Sequence, residues 1–197
     1  MINNFDISGH YYIHQNLLCR KFLDIKRKKE KIYKPDLMVI MMNPGSSKPI
    51  DGNNNAQTTI KAKPDNTQYQ IIKLMNICEL DYTRVLNLSD IRESKSKKFF
   101  KVLEKLDLSH SIFYNNRDKD FKELFVYGVP VIFAWGVDTK LQILAYMAIK
   151  KINSSNPVGI LKNGSDFAYY HPLPQNSNKQ KLWIQTVSTG LNNLKNR

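Results

Sequence analysis

Apolar positions along the chain alternate between helical and strand-like spacing. Leu17, Leu18, Phe22 and Ile25 recur at helical intervals, with Arg20, Lys21, Lys26, Arg27, Lys28 and Lys29 on the opposite side. That pattern predicts a helix over 10–34, ended by Pro35. Residues 37–42, "LMVIMM", form a continuous apolar run, the mark of a strand buried on both faces. The next stretch, through residue 66, is rich in Gly, Pro, Asn and Lys and reads as a loop of roughly 20 residues, a length usually tied to function or disorder. Asp65 or Asn66 is placed to cap a helix over 65–79 whose apolar side holds Ile71, Ile72, Leu74, Met75 and Cys78.

A second strand is expected over 83–91, and an amphipathic helix over 96–106 carrying Phe99, Phe100, Val102, Leu103 and Leu106. Further expectations are a helix over 117–127, a buried strand over 129–136 stopped by Gly136, and a helix over 138–150. Short strands at 158–161 and 166–170 flank Gly164, and a closing helix spans 179–194. Strands alternating with helices argue for an α/β fold with a mainly parallel sheet covered on both faces. In such sheets ligands bind beyond the carboxyl ends of the strands, where Asn43, Asn87, Gly136 and His171 fall.

A length of 197 residues suits one domain, 1–197, with the N-terminal helix 10–34 packed on a core of 35–194. Thirty basic against seventeen acidic residues give a net charge of +13. An acidic partner, nucleic acid first, is one reading; a Lys- and Asn-biased composition without a binding role is the other. Cys19 and Cys78 form no metal-binding or redox motif, which suits free thiols in a reducing cytoplasm. The N-terminus lacks the charged and apolar regions of a signal peptide, and no apolar run approaches the ~18 residues that would span a membrane. The expected location is therefore cytoplasmic.

Three segments carry candidate chemistry. Asn43-Pro44-Gly45 ends the first buried strand: an amide, a residue without a backbone donor, and a glycine that admits close approach. It suits a site or an ordinary strand-to-loop turn equally. Asn87 ends the second strand, where a buried amide needs partners; loop backbone or an extruded base would supply them. His171, between two tyrosines and Pro172-Leu173-Pro174, sits in a stiff segment, either as a donor to an anion or as a surface histidine in a proline turn. No nucleophile elbow, P-loop or zinc spacing is present in the sequence, and no cofactor is expected.

"VIMMNPGSS", "VLNLSDI", "VIFAWG" and "YYHPLPQN" resemble, in order and spacing, the motifs of the uracil-DNA glycosylase superfamily. The resemblance covers about residues 35–190. It is nearest to a family of small bacterial proteins of undefined function carried on mobile cassette elements. It implies a three-layer α/β/α fold around a four-stranded, mainly parallel sheet. It also implies Asn43 and His171 as catalytic or vestigial catalytic residues, and Asn87, Pro44 and Gly45 around a base pocket. Ser46, Ser47, Pro172, Leu173 and Pro174 would form a binding loop.

The departures are specific. Active relatives stack the base on an aromatic residue after the first motif, whereas 46–68 contains no Phe, Tyr, Trp or His. Losing that platform costs about 1–3 kcal/mol of stacking. Leu173 replaces a serine that grips phosphate, and no carboxylate stands in the first motif. The resemblance therefore implies a pseudo-glycosylase whose partner is an acidic, DNA-mimicking glycosylase inhibitor protein, with DNA bound weakly or not at all. Active excision of uracil or a damaged base, or DNA binding without catalysis, are the alternatives.

Overall fold

The computed structural model describes residues 2–29, 32–154 and 156–195. The chain opens with two long strands, β1 (Phe5–His14) and β2 (Leu17–Arg27), where a helix over 10–34 was expected. They are antiparallel and joined by Gln15 and Asn16, both at positive φ, as a two-residue type I′ hairpin turn requires. The misreading has a physical cause. Gly9 pairs with Leu23 but Tyr11 with Arg20, so β2 carries one extra residue in a β-bulge. The bulge shifts the phase of alternation, placing Arg20 and Leu23 on one face and Cys19 and Phe22 on the other. Three-residue steps of that kind imitate a helix.

Strand β3 (Leu37–Met41) is fully buried and lies parallel to β6 (Tyr82–Asn87) on one side and β7 (Val131–Phe133) on the other. The loop expected after β3 instead contains β4 (Lys48–Pro49) and β5 (Thr59–Lys63). The sheet order is β4-β5-β1-β2-β6-β3-β7. It is a seven-stranded mixed sheet and not a four-stranded, mainly parallel one: the parallel β6-β3-β7 core is extended by the antiparallel hairpin through β2 and β6. The short strands expected at 158–161 and 166–170 are reduced to isolated bridges, Val158 beside Ile132 and Tyr169 beside Leu161 and Gly136.

Helices cover both faces. α1 (Asn66–Ile77) and α5 (Ser177–Lys195) pack one side, where Ile71, Leu74, Met75, Trp183 and Val187 meet Leu23, Val39 and Val85. On the other side α2 (Ser96–Leu103), α3 (Asp118–Leu124) and α4 (Gln142–Ile152) bury Phe99, Phe121 and Ala145 against Phe22, Ile40 and Leu86. Ionic contacts fasten the hairpin to this core. Arg84 on β6 grips Asp24 on β2 through two bonds of 2.7 and 2.9 Å. Past β6, the fully buried Asp90 accepts from Tyr12 at 2.6 Å and from Arg117 at 2.6 Å.

Candidate functional site

The carboxyl ends of β3 and β7 open into a cleft of about 900 Å³. Its floor is the segment Met41–Ser46, and its walls include the first turn of α1, the 93–96 segment, Trp135-Gly136, and His171 with Leu173. The structure therefore brings together Asn43, Pro44, Gly45, Ser46, His171 and Leu173. Each has a definable local role. The Asn43 amide nitrogen donates to the carbonyls of Ile91 at 3.1 Å and Glu93 at 2.7 Å, tying the end of β3 to the segment beyond β6. Its Oδ1 accepts nothing among the described residues and remains available to a ligand. Gly45 has φ +62°, a conformation that disfavours any side chain, and lies against Asp65 Oδ2.

In His171, Nδ1 accepts the Leu173 amide at 3.1 Å, which leaves the ring proton on Nε2. Burial holds the imidazole below its ordinary range, so at neutral pH it is an uncharged donor. Leu173 stands between this cleft and a neighbouring hollow of about 390 Å³ that also contains Tyr69 and Pro174.

The remaining expected site residues lie elsewhere. Asn87 is fully buried, does not line the cleft, and has neither side-chain polar atom hydrogen-bonded. Ser47 is also buried, its hydroxyl directed to the Lys63 carbonyl at 3.4 Å. Pro172 is buried outside both hollows.

Three features of the cleft were absent from the expected site. The first is the aromatic surface of Phe100 and Trp135, supplied by α2 and by the residues after β7. The Trp135 indole nitrogen donates to the Phe167 carbonyl at 2.8 Å, which fixes the ring. Asp65 is the second. As the N-cap of α1, it accepts from the Thr67 and Gln68 amides through Oδ1, while Gln68 reaches back to the Asp65 amide. Among the described residues Oδ2 has no hydrogen-bond partner. The third is Arg20, which lines the cleft while only 1% exposed. Sequence spacing had assigned it to the solvated side of a helix; only the bulge in β2 turns it inward. Among the described residues no group of His, Cys, Asp and Glu is arranged to hold a metal ion.

An acceptor, a neutral donor, a carboxylate, a guanidinium and an aromatic wall thus converge at the carboxyl ends of parallel strands. That defines an α/β protein with a polar small-molecule-sized cleft. The chain belongs to the family described as "Protein of unknown function (DUF1643)", whose family model matches residues 22–173. Neither curated proteins nor solved structures give a significant match to the chain.

Proposed function

We propose that this protein is a glycosylase-like binding protein that has lost base excision and docks an acidic, DNA-mimicking protein of the kind that inhibits uracil-DNA glycosylases. The observation that carries this reading is Asn87. The amide expected to read an extruded base is sealed beneath the sheet end, without access to the cleft. A pocket that cannot read the base gives no transition-state discrimination, and losing even ~4 kcal/mol there lowers a rate about a thousandfold. Leu173 supports the second half of the proposal. It forms an apolar ridge between two hollows, a shape suited to anchoring against a folded surface, and the net charge of +13 favours a partner rich in carboxylates.

Two measurements test the proposal. Uracil-containing single- and double-stranded oligonucleotides should acquire no abasic sites on incubation with the protein. In direct competition at one ionic strength, a glycosylase inhibitor protein should displace duplex DNA, and Leu173→Ala should weaken the protein complex. Victory for DNA, with Leu173→Ala silent, would leave a nucleic-acid binder as the better account.

One observation favours active excision instead. The free Oδ2 of Asp65 places a carboxylate in the cleft, close to Gly45, and Phe100 and Trp135 supply aromatic surface. If excision is detected, Asp65→Asn separates the roles of this residue. Asn caps a helix as well as Asp does, so the fold should survive while activity falls.

A further inference from the structure

The fold pairs its other inward-facing arginines. Arg84 holds Asp24, Arg117 holds Asp90 and Asp120, Arg27 holds Asp81, and Arg92 donates to the Ser47 carbonyl and to Asn54. Arg20 is the exception among the described residues. It is more deeply buried than any of these, yet no carboxylate lies within ion-pair distance of it, and its Nε and Nη1 have no hydrogen-bond partner. Arginine stays charged in proteins. A buried guanidinium without a counter-ion is strongly unfavourable, and folds retain such a group where something else completes it.

We infer that Arg20 is an anion-binding residue, and that the cleft takes a small molecule whose phosphate or carboxylate group docks on its guanidinium. The side chain is held in readiness. A Cβ on Gly9 would stand 3.0 Å from the Phe22 carbonyl oxygen and 3.3 Å from Arg20 Cδ, so the arginine stem packs closely over residue 9. Across the hairpin, Arg20 is paired with the buried Tyr11, whose hydroxyl is likewise without a partner among the described residues but does not line the cleft.

The wider field of the cleft argues for a small ligand over a polyanion. Its lining holds Arg20, Lys48 and Lys63 against Asp65, Glu93 and Asp138, three cations against three carboxylates. A balanced lining gives a phosphate backbone no general attraction, whereas one planar fork of donors selects a single oxyanion. Arg92 adds to the positive potential at Arg20, and Asp65 and Asp90 subtract from it. The end of α1 contributes little, because Asp65 already occupies its first amides. A volume of about 900 Å³ accommodates a nucleotide-sized body beside Phe100 and Trp135. This assignment concerns the interior of the cleft and stands whether or not a protein docks on its rim.

The experiment titrates the full-length protein with inorganic phosphate, acetate, uridine monophosphate and uridine, following calorimetric binding and thermal unfolding. Phosphate or acetate, and uridine monophosphate more tightly than uridine, should bind and raise the melting temperature. Which of the two simple anions binds distinguishes a phosphate from a carboxylate ligand. Arg20→Met keeps the apolar stem; it should abolish the stabilisation and, without ligand, melt no lower than wild type. Arg20→Lys should weaken binding by about tenfold to a hundredfold. Failure of both simple anions to bind, or binding unchanged in Arg20→Met, overturns the inference. Should Arg20→Met not fold, the Arg20 Nε–H resonance of the wild-type protein decides: it must shift on saturation with the bound anion, and an unmoved signal rejects the site.

Discussion

Arg117 and Asp90 form a buried ion pair at 2.6 Å. Asp90 is fully buried, and its other partner is the Tyr12 hydroxyl. Replacing Arg117 by Met leaves that carboxylate without its counter-ion. The expected loss is about 3–5 kcal/mol in urea unfolding, much of it recovered when Asp90→Leu is added. His110 gives a complementary test by pH. Burial pushes its imidazole from 6.5 down to about 4, so between those values the unfolded chain holds a proton that the folded chain lacks. The stability that His110 confers as a neutral group is complete above pH 6.5. It declines as the pH falls toward 4, with a slope of about 1.4 kcal/mol per pH unit. In His110→Gln the slope measured in a series of urea titrations across the interval should fall by His110's one-proton share, while the share of His171 and His10 remains.

At the scale of elements, two segments have sharp requirements. Gly159 runs beside β7 with φ +152°, and a Cβ there would lie 2.6 Å from the Phe133 carbonyl oxygen. Gly159→Ala should therefore cost about 2–4 kcal/mol, read as a lowered denaturation midpoint. α1 begins with a capping box, so Asp65→Ala should cost about 1 kcal/mol while Asp65→Asn is close to neutral. That cap was legible in the sequence, since Asp65 stands three residues before Gln68 and just ahead of an apolar repeat. The strands β3 and β7 were legible as well, because unbroken apolar runs leave few alternatives, and β6 was expected over 83–91 where Tyr82–Asn87 is found. The hairpin was hidden. Its bulge converts two-residue alternation into steps of three, and burial of much of β2 on both faces removes the polar stripe that identifies a half-exposed strand. The same bulge concealed Arg20, which stands between Cys19 and Lys21. Asn43 and His171 were visible as polar residues ending apolar or aromatic runs. Phe100 and Asp65 reach the cleft from helices, where sequence alone gives no direction.

For the whole molecule, charge is distributed unevenly with respect to function. The net charge is +13, yet the cleft lining is balanced, so the excess lies on other surfaces. Raising the ionic strength should therefore slow association with an acidic protein steeply, while the buried Arg20 responds less, since screening acts mainly on exposed charge. Stopped-flow association and calorimetry across one salt series separate the two effects. The sheet order has a further consequence, for synthesis on the ribosome. β3 occupies the middle of the parallel core, but its neighbours β6 and β7 begin 45 and 94 positions after it. The hairpin can close as soon as it emerges, whereas the five buried residues of β3 must wait for both later strands. A nascent chain halted before Tyr82 thus presents the unpaired outer edge of β2 and a bare apolar β3 together, a combination that favours pairing with other chains. Productive folding is committed late, when β7 leaves the exit tunnel, and the burden of keeping the intermediate soluble falls on the strongly positive segments around it, whose mutual repulsion holds unfinished copies apart.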